Sequence, residues 1–112
     1  MRIAHLGGSR LGDRILQVLQ STDDDVESAN DLEELRSLLD AGPADWMVSA
    51  GFRYRVPADC LERSKDSCNV HTSLLPWGRG SQPNIWAIND KEPAGVTIHR
   101  MTPQLDAGPI FA

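Results

Sequence analysis

Short apolar segments alternate with amphipathic segments along most of this chain, and this alternation constrains the fold more than any other feature. Residues 2–6 form an apolar run that leads directly into the glycine-rich turn GGSRLG. Apolar residues then recur at helical spacing, at Leu11, Ile15, Val18 and Leu19. The pattern predicts a buried strand, a tight turn and a helix.

The same unit follows twice more. Residues 26–29 are a weak candidate for a second strand, and Asn30 is the predicted cap of a second helix that ends before Gly42-Pro43. Residues 45–50 form a third apolar run, after which Pro57 is suitably placed to begin a third helix.

The pattern of residues 68–112 predicts two more strands, at 68–71 and 95–101, separated by a loop and a short helix that begins at Pro83. Residues 108–112 are typical of the start of a further strand. Strands and helices in this order indicate βαβ units. We therefore expect an α/β, Rossmann-like fold of three layers with a mostly parallel, twisted sheet, whose ligands bind beyond the carboxyl ends of the strands.

Length, hydropathy and net charge limit the number of domains and the kinds of partner that we expect. A chain of 112 residues suits one domain, 1–112, with one core. The sequence shows no apolar run of the roughly 18–20 residues that a membrane span needs and no recognisable secretory signal, so we expect no membrane partner and a cytoplasmic location. The net charge of -5 argues against a nucleic-acid partner. An uncovered sheet edge after Ile110 would suit a homodimer.

Asn69 and His71 are the first candidates for chemistry. One residue separates them at the carboxyl end of a predicted strand, so both side chains face the same side. An amide donor and an imidazole suit a reaction in which a carbonyl oxygen gains negative charge. A structural pair that satisfies loop carbonyls is the alternative. Asp106, in a predicted loop between strands, could orient a histidine or could simply be a turn residue.

The glycine-rich turn is a second candidate site. Backbone N–H groups of Gly8, Ser9 and Arg10 lie where a helix begins, a place that attracts phosphate or carboxylate. The alternative is a tight turn without a ligand. GGSRLG differs from GxGxxG, which argues against a dinucleotide. The histidines and the two cysteines lack the spacing of a zinc site, so no metal is predicted.

Four segments in order, NVHTSLLP at 69–76, RG at 79–80, GVTIH at 95–99 and LDAGPI at 105–110, resemble the folate-dependent formyltransferase family. This family includes the glycinamide ribonucleotide, methionyl-tRNA and nucleotide amino-sugar formyltransferases. The ordered block is far more specific than any of its parts, and weaker similarity extends over the whole chain. By this resemblance the domain is a catalytic domain that is shortened at its C-terminal end.

The resemblance implies the co-substrate, the reaction and the residues that carry it. 10-Formyltetrahydrofolate would give its formyl group to a small amine, either a nucleotide-linked amino sugar or a glycinamide-ribonucleotide-like amine. The resemblance is closer to the amino-sugar branch of the family, so we favour the amino sugar. Asn69 and protonated His71 would stabilise the oxyanion, and Asp106 would orient His71 and help to remove the amine proton. Folate contacts are implied at Phe52, Tyr54, Val56 and Thr102, and acceptor contacts at Gly8, Ser9, Arg10, Ser73 and Arg79.

Two other functions stay open at this point. One is a hydrolase that uses the same three residues to release formate from the folate. The other is a non-catalytic module that binds folate or sugar.

Overall fold

Five strands form one sheet in the order β2-β1-β3-β4-β5. The computed structural model describes residues 1–71, 97–102 and 110. Within them the elements are β1 (Arg2–Leu6), α1 (Arg10–Gln20), β2 (Asp25–Ala29), α2 (Leu32–Asp40), β3 (Ala44–Ala50), α3 (Ala58–Leu61), β4 (Ser64–His71) and β5 (Thr97–His99). Strands β1 to β4 pair in parallel, whereas β5 is antiparallel to β4. The predicted α/β class with a mostly parallel sheet is confirmed.

Side chains of β1 contact helices on both faces of the sheet. Ala4 and Leu6 belong to a buried core cluster with Leu35, Leu38 and Leu39 of α2 and Cys60 of α3. His5 points to the opposite face, because side chains alternate along a strand, and its ring is hydrogen-bonded to the backbone of α1. The helices therefore cover both faces of the sheet, as predicted.

The cap of α2 corrects a prediction by one residue. Asp31, not Asn30, is the N-cap, and its carboxylate accepts a hydrogen bond of 2.8 Å from the backbone N–H of Glu34. The Glu34 carboxylate in turn accepts from the N–H of Asn30 at 3.0 Å. The second bond goes to the N–H just before the cap and not to that of Asp31, so the arrangement is similar to a capping box but shifted at this end.

Two strand boundaries and one predicted core position also differ from the predictions. β4 begins at Ser64, four residues before the predicted strand, because parallel pairing with β3 continues through a polar stretch. β5 covers only Thr97–His99 of the predicted 95–101, and residues 95–96 lie outside the described residues. Val18, predicted to belong to the apolar stripe of α1, is 64% exposed. Within the described part, no helix is long and apolar enough to span a membrane.

The predicted helix at Pro83 lies outside the described residues. Of the predicted strand at 108–112, the structure describes Ile110, which forms an antiparallel bridge with His99.

Candidate active site at the carboxyl edge of the sheet

Strands β1, β3 and β4 end side by side, and the segments that follow them pack closely. A Cβ built on Gly51, which follows β3, would lie 2.1 Å from Oγ of Ser9 in the glycine-rich turn. A Cβ on Gly12 would lie 2.8 Å from the carbonyl oxygen of Ala50. The amino-terminal end of α1 therefore sits directly against the end of β3, and only glycine fits at both contacts.

Ser9 holds this junction together with its hydroxyl group. Its Oγ accepts a hydrogen bond of 3.0 Å from the N–H of Gly12 and donates one of 3.3 Å to the carbonyl oxygen of Ala50. Ser9 is thus the N-cap of α1, with both roles of the hydroxyl in use. A ligand at the predicted anion site would meet the backbone and the exposed residues Gly8 and Arg10 rather than this hydroxyl.

His5 supports the turn from inside the protein. Nε2 lies 2.8 Å from the carbonyl oxygen of Gly12, which can only accept, so Nε2 carries the proton. Nδ1 then accepts from the hydroxyl of Ser28 at 2.8 Å. Burial lowers the pKa of His5, against a smaller opposing effect of the Gly12 carbonyl and Asp13. His5 is a neutral structural residue that ties α1 to β1 and β2.

Asn69 and His71 lie on the sheet face that carries the core cluster. Asn69 is in register with Ser49 of β3, two residues from Met47 of the cluster, so the three side chains share a face. His71 is buried and Asn69 is half-buried. The prediction that both side chains project to one side agrees with the strand register.

His99 joins this pair and was not predicted as a site residue. It lies directly opposite Asn69 in the antiparallel pairing of β4 and β5. Nδ2 of Asn69 and Nε2 of His99 are 3.2 Å apart, and Nδ1 of His99 is 2.9 Å from the carbonyl oxygen of Arg100. The His71 and His99 rings stand edge to face, with centroids 6.5 Å apart. The structure therefore groups an amide and two imidazoles.

The loop after β3 supplies three of the four residues to which the resemblance gave folate contacts, and the segment after β5 supplies the fourth. The rings of Phe52 and Tyr54 stand edge to face with centroids 5.5 Å apart, and Tyr54 is 47% exposed. Val56 is buried in the core cluster, so its side chain offers a ligand little surface. Thr102 is half-buried and follows Met101, which packs against the same cluster as Phe52.

Asp106, Ser73 and Arg79 lie outside the described residues. Their predicted roles therefore stay predictions.

Positive charge is distributed unevenly over the described residues. In this part of the chain, five cationic side chains form ion pairs with carboxylates: Arg2, Arg36, Arg63, Lys65 and Arg100. Four exposed arginines there form none: Arg10, Arg14, Arg53 and Arg55. Two of these arginines are in the first turns of α1, and two are in the loop after β3. The two segments are in contact through Ser9 and Gly51. The carboxyl edge thus carries four arginines that form no ion pair with the carboxylates of residues 1–71 and 97–102.

The two cysteines have the character of unreactive thiols. Cys60 is buried and Cys68 is half-buried, and burial raises the pKa of both. The described residues contain no group of histidine, cysteine and carboxylate side chains that could hold a metal ion.

Comparison with known proteins identifies the family. The sequence profile described as Formyl transferase matches residues 9–112. The chain belongs to the formyl transferase family. Methionyl-tRNA formyltransferase of Streptococcus sanguinis is 42% identical over 88 residues, which are 78% of this chain and 27% of that protein. The chain therefore spans about a quarter of the length of this family member.

Solved structures of the family share the fold. Formyltransferase PseJ from Anoxybacillus kamchatkensis, in complex with UDP-4,6-dideoxy-4-formamido-L-AltNAc and tetrahydrofolate, superposes with a TM-score of 0.84 at 34% identity. This chain is covered completely, and it covers 58% of the PseJ chain. Methionyl-tRNA formyltransferase from Clostridium thermocellum gives a TM-score of 0.79 at 17% identity, which shows the fold alone.

Proposed function

We propose that this protein transfers the formyl group of 10-formyltetrahydrofolate to the amino group of a small, anionic acceptor. The observation that carries the proposal is the placement of Asn69 and His71 on one face at the carboxyl edge of the sheet, in a chain of the formyl transferase family. The tetrahydrofolate bound to PseJ supports a folate as the formyl donor.

In the proposed reaction the acceptor nitrogen attacks the formyl carbon and a tetrahedral intermediate forms. The amide of Asn69 and the imidazole of His71 donate hydrogen bonds to its oxyanion. The bond between the formyl carbon and the folate nitrogen then breaks. Asp106 orients His71 and takes the proton that the amine loses, and the folate nitrogen receives a proton as it leaves. No covalent enzyme intermediate is required.

The loop after β3 would hold the folate. It lies on the same sheet face as Asn69, because Ser49 and Asn69 are in register and Phe52 packs against the cluster on that face. Tyr54 presents an exposed ring that a pterin or a benzoyl group could contact. Thr102, next to Met101, could contact the folate from the segment after β5.

A nucleotide-linked amino sugar is the acceptor that we favour. The structure of PseJ holds a UDP sugar that carries a formamido group. A diphosphate would match the four arginines without ion pairs among the described residues, together with the exposed backbone at Gly8. Ser73 and Arg79 complete the proposed acceptor site.

Methionyl-tRNA is the second candidate acceptor. It is supported by the 42% identity to a methionyl-tRNA formyltransferase. The same arginines could also bind phosphates of RNA, although the chain carries a net charge of -5.

One experiment separates these functions. The protein is incubated with 10-formyltetrahydrofolate and with a UDP-linked amino sugar, methionyl-tRNA or no amine, while tetrahydrofolate and formate are measured and the acceptor is weighed by mass spectrometry. A formylated UDP sugar supports the proposal, and formylated methionyl-tRNA supports the second acceptor. Formate release without an amine indicates the hydrolase. Folate binding in a calorimeter, with no conversion between about pH 6 and 9, indicates a binding module.

A further inference from the structure

The side-chain amide of Asn69 has two orientations that differ by exchange of its oxygen and nitrogen. The two orientations fill nearly the same space, so packing alone does not select between them. In the proposed reaction only the nitrogen can donate to an oxyanion. A group that fixes the orientation would therefore control whether Asn69 can act.

His99 has the hydrogen bonds that such a group needs. The carbonyl oxygen of Arg100, 2.9 Å from Nδ1, can only accept, so Nδ1 of His99 carries the ring proton. In the neutral ring Nε2 is then an acceptor. The atom of Asn69 at 3.2 Å must be its donor, Nδ2. The backbone carbonyl of Arg100 thus fixes the tautomer of His99, and this tautomer fixes the orientation of the Asn69 side-chain amide. We call this chain of two hydrogen bonds the relay.

Strand geometry makes this relay rigid. Asn69 and His99 are directly opposite in the antiparallel pair, and Val70 is opposite Ile98 on the other face. His99 is 2% exposed, so its ring is shielded from bulk water. The backbones of Asn69 and His99 are thus both held by strand pairing.

We infer that His99 is a positioning residue that holds the amide nitrogen of Asn69 in the orientation required for oxyanion stabilisation. The inference rests on the proposed function. His99 itself need not contact the substrate. One N–H of the Asn69 amide is used by His99, and the second N–H remains to donate to the formyl oxygen.

Kinetics of the intact protein test the inference. His99→Phe keeps an aromatic ring but removes the acceptor, and it should lower kcat about tenfold, as expected for loss of one buried hydrogen bond, with little change in KM for the folate. Ile98→Val, in the same strand but on the opposite face, is the matched control and should retain kcat. His99→Gln, which offers a carbonyl acceptor, should recover part of the loss.

A double variant distinguishes positioning from a general structural effect. In an Asn69→Ala background there is no amide to orient, so adding His99→Phe should change kcat less than twofold. An equal tenfold fall in both backgrounds would overturn the inference, as would unchanged kcat in His99→Phe alone.

Nitrogen NMR of the wild-type protein tests the relay without any turnover. Long-range proton–nitrogen correlations should show a ring proton of His99 on Nδ1 and none on Nε2. A proton on Nε2 would overturn the inference even if every variant failed to fold. If the wild-type protein transfers no formyl group, the proposed function fails, and the NMR result still decides how His99 holds Asn69.

Discussion

Ser9 and Gly51 are in such close contact that no side chain fits at position 51. A Cβ there would lie 2.1 Å from Oγ and 2.8 Å from Cβ of Ser9, and the backbone of Gly51 has φ of 68°, which disfavours other residues. Gly51→Ala should therefore lower the free energy of unfolding by about 2–5 kcal/mol, the sum of a left-handed backbone penalty and an overpacking penalty. Urea unfolding measures the loss.

Two variants divide this loss into its parts. Gly8 has φ of 107°, and a Cβ there would come no closer than 3.8 Å to Asn30, an ordinary van der Waals contact, so Gly8→Ala should lose only the backbone part, about 1–2 kcal/mol. Ser9→Gly removes both clashing atoms and costs a few tenths of a kcal/mol as an N-cap. Gly51→Ala combined with Ser9→Gly should thus be more stable than Gly51→Ala alone. Equal stability of the two would contradict the contact.

The buried ring of His5 predicts a pH dependence of folding. Burial lowers the pKa of His5 below its ordinary value of 6.5, so between these two values the unfolded chain binds more protons than the folded one. The stabilisation is complete above pH 6.5 and is lost as the pH falls towards the folded pKa. The slope from one proton is at most about 1.4 kcal/mol per pH unit.

Urea midpoints at pH 8, 6 and 5 measure this slope, and His5→Gln is the control because glutamine does not titrate. The loss between pH 8 and 5 should be larger in the wild type than in His5→Gln. Parallel curves for the two proteins would contradict a lowered pKa of His5 in the folded state.

Most of the fold was predictable because each of the first three strands and helices is indicated by residues within or next to it. Alternating periodicity, the glycine-rich turn and Pro57 identified the first three strand–helix units, and β4 was underestimated because its first half, Ser64 to Ser67, is polar. The sequence of that stretch does not indicate a strand by itself. It is a strand because it pairs with β3, which is distant in sequence. The cap was misplaced by one residue because Asn30 and Asp31 are both good caps, and packing of α2 decides between them.

The site was predictable only in part. Asn69 and His71 are close in sequence, so alternation alone placed them together. His99 is 30 residues from Asn69, and their contact depends on the antiparallel register of β5, which no local pattern specifies. A search for polar residues inside predicted apolar strands would have found the signal, since His99 and Thr97 are both buried on β5. Ser9 was predicted to contact the acceptor, and the structure adds that its hydroxyl group caps α1, which leaves the predicted role of its backbone N–H a prediction.

The guanidinium of Arg2 caps the carboxyl end of α2, and its removal should lower the stability of the fold. Its guanidinium donates to the carbonyl oxygens of Leu38, at 2.6 Å, and of Gly42 and Pro43. Arg2→Met keeps most of the apolar stem but leaves these carbonyls without their donor, so it should lower the free energy of unfolding by about 2 kcal/mol.

The matched control is Glu27→Gln, which weakens only the ion pair of Arg2. Glu27 is 46% exposed and lies 3.4 Å from the guanidinium, so the change should be below about 0.5 kcal/mol. Urea unfolding of both variants makes the comparison. A larger loss in Glu27→Gln than in Arg2→Met would show that Arg2 acts through the surface ion pair.

Removal of the Asn69 amide should reduce turnover more than it reduces folate binding. Asn69→Ala loses an oxyanion donor and should lower kcat by about 10²–10³, or roughly 3–4 kcal/mol. Asn69→Asp keeps the shape but presents a carboxylate to the oxyanion, so its kcat should fall at least as far. Cys68→Ser, one residue away on the opposite face, is the control and should retain kcat. Initial rates of tetrahydrofolate formation measure each variant, and full turnover by Asn69→Ala would refute the assignment of Asn69 as an oxyanion donor.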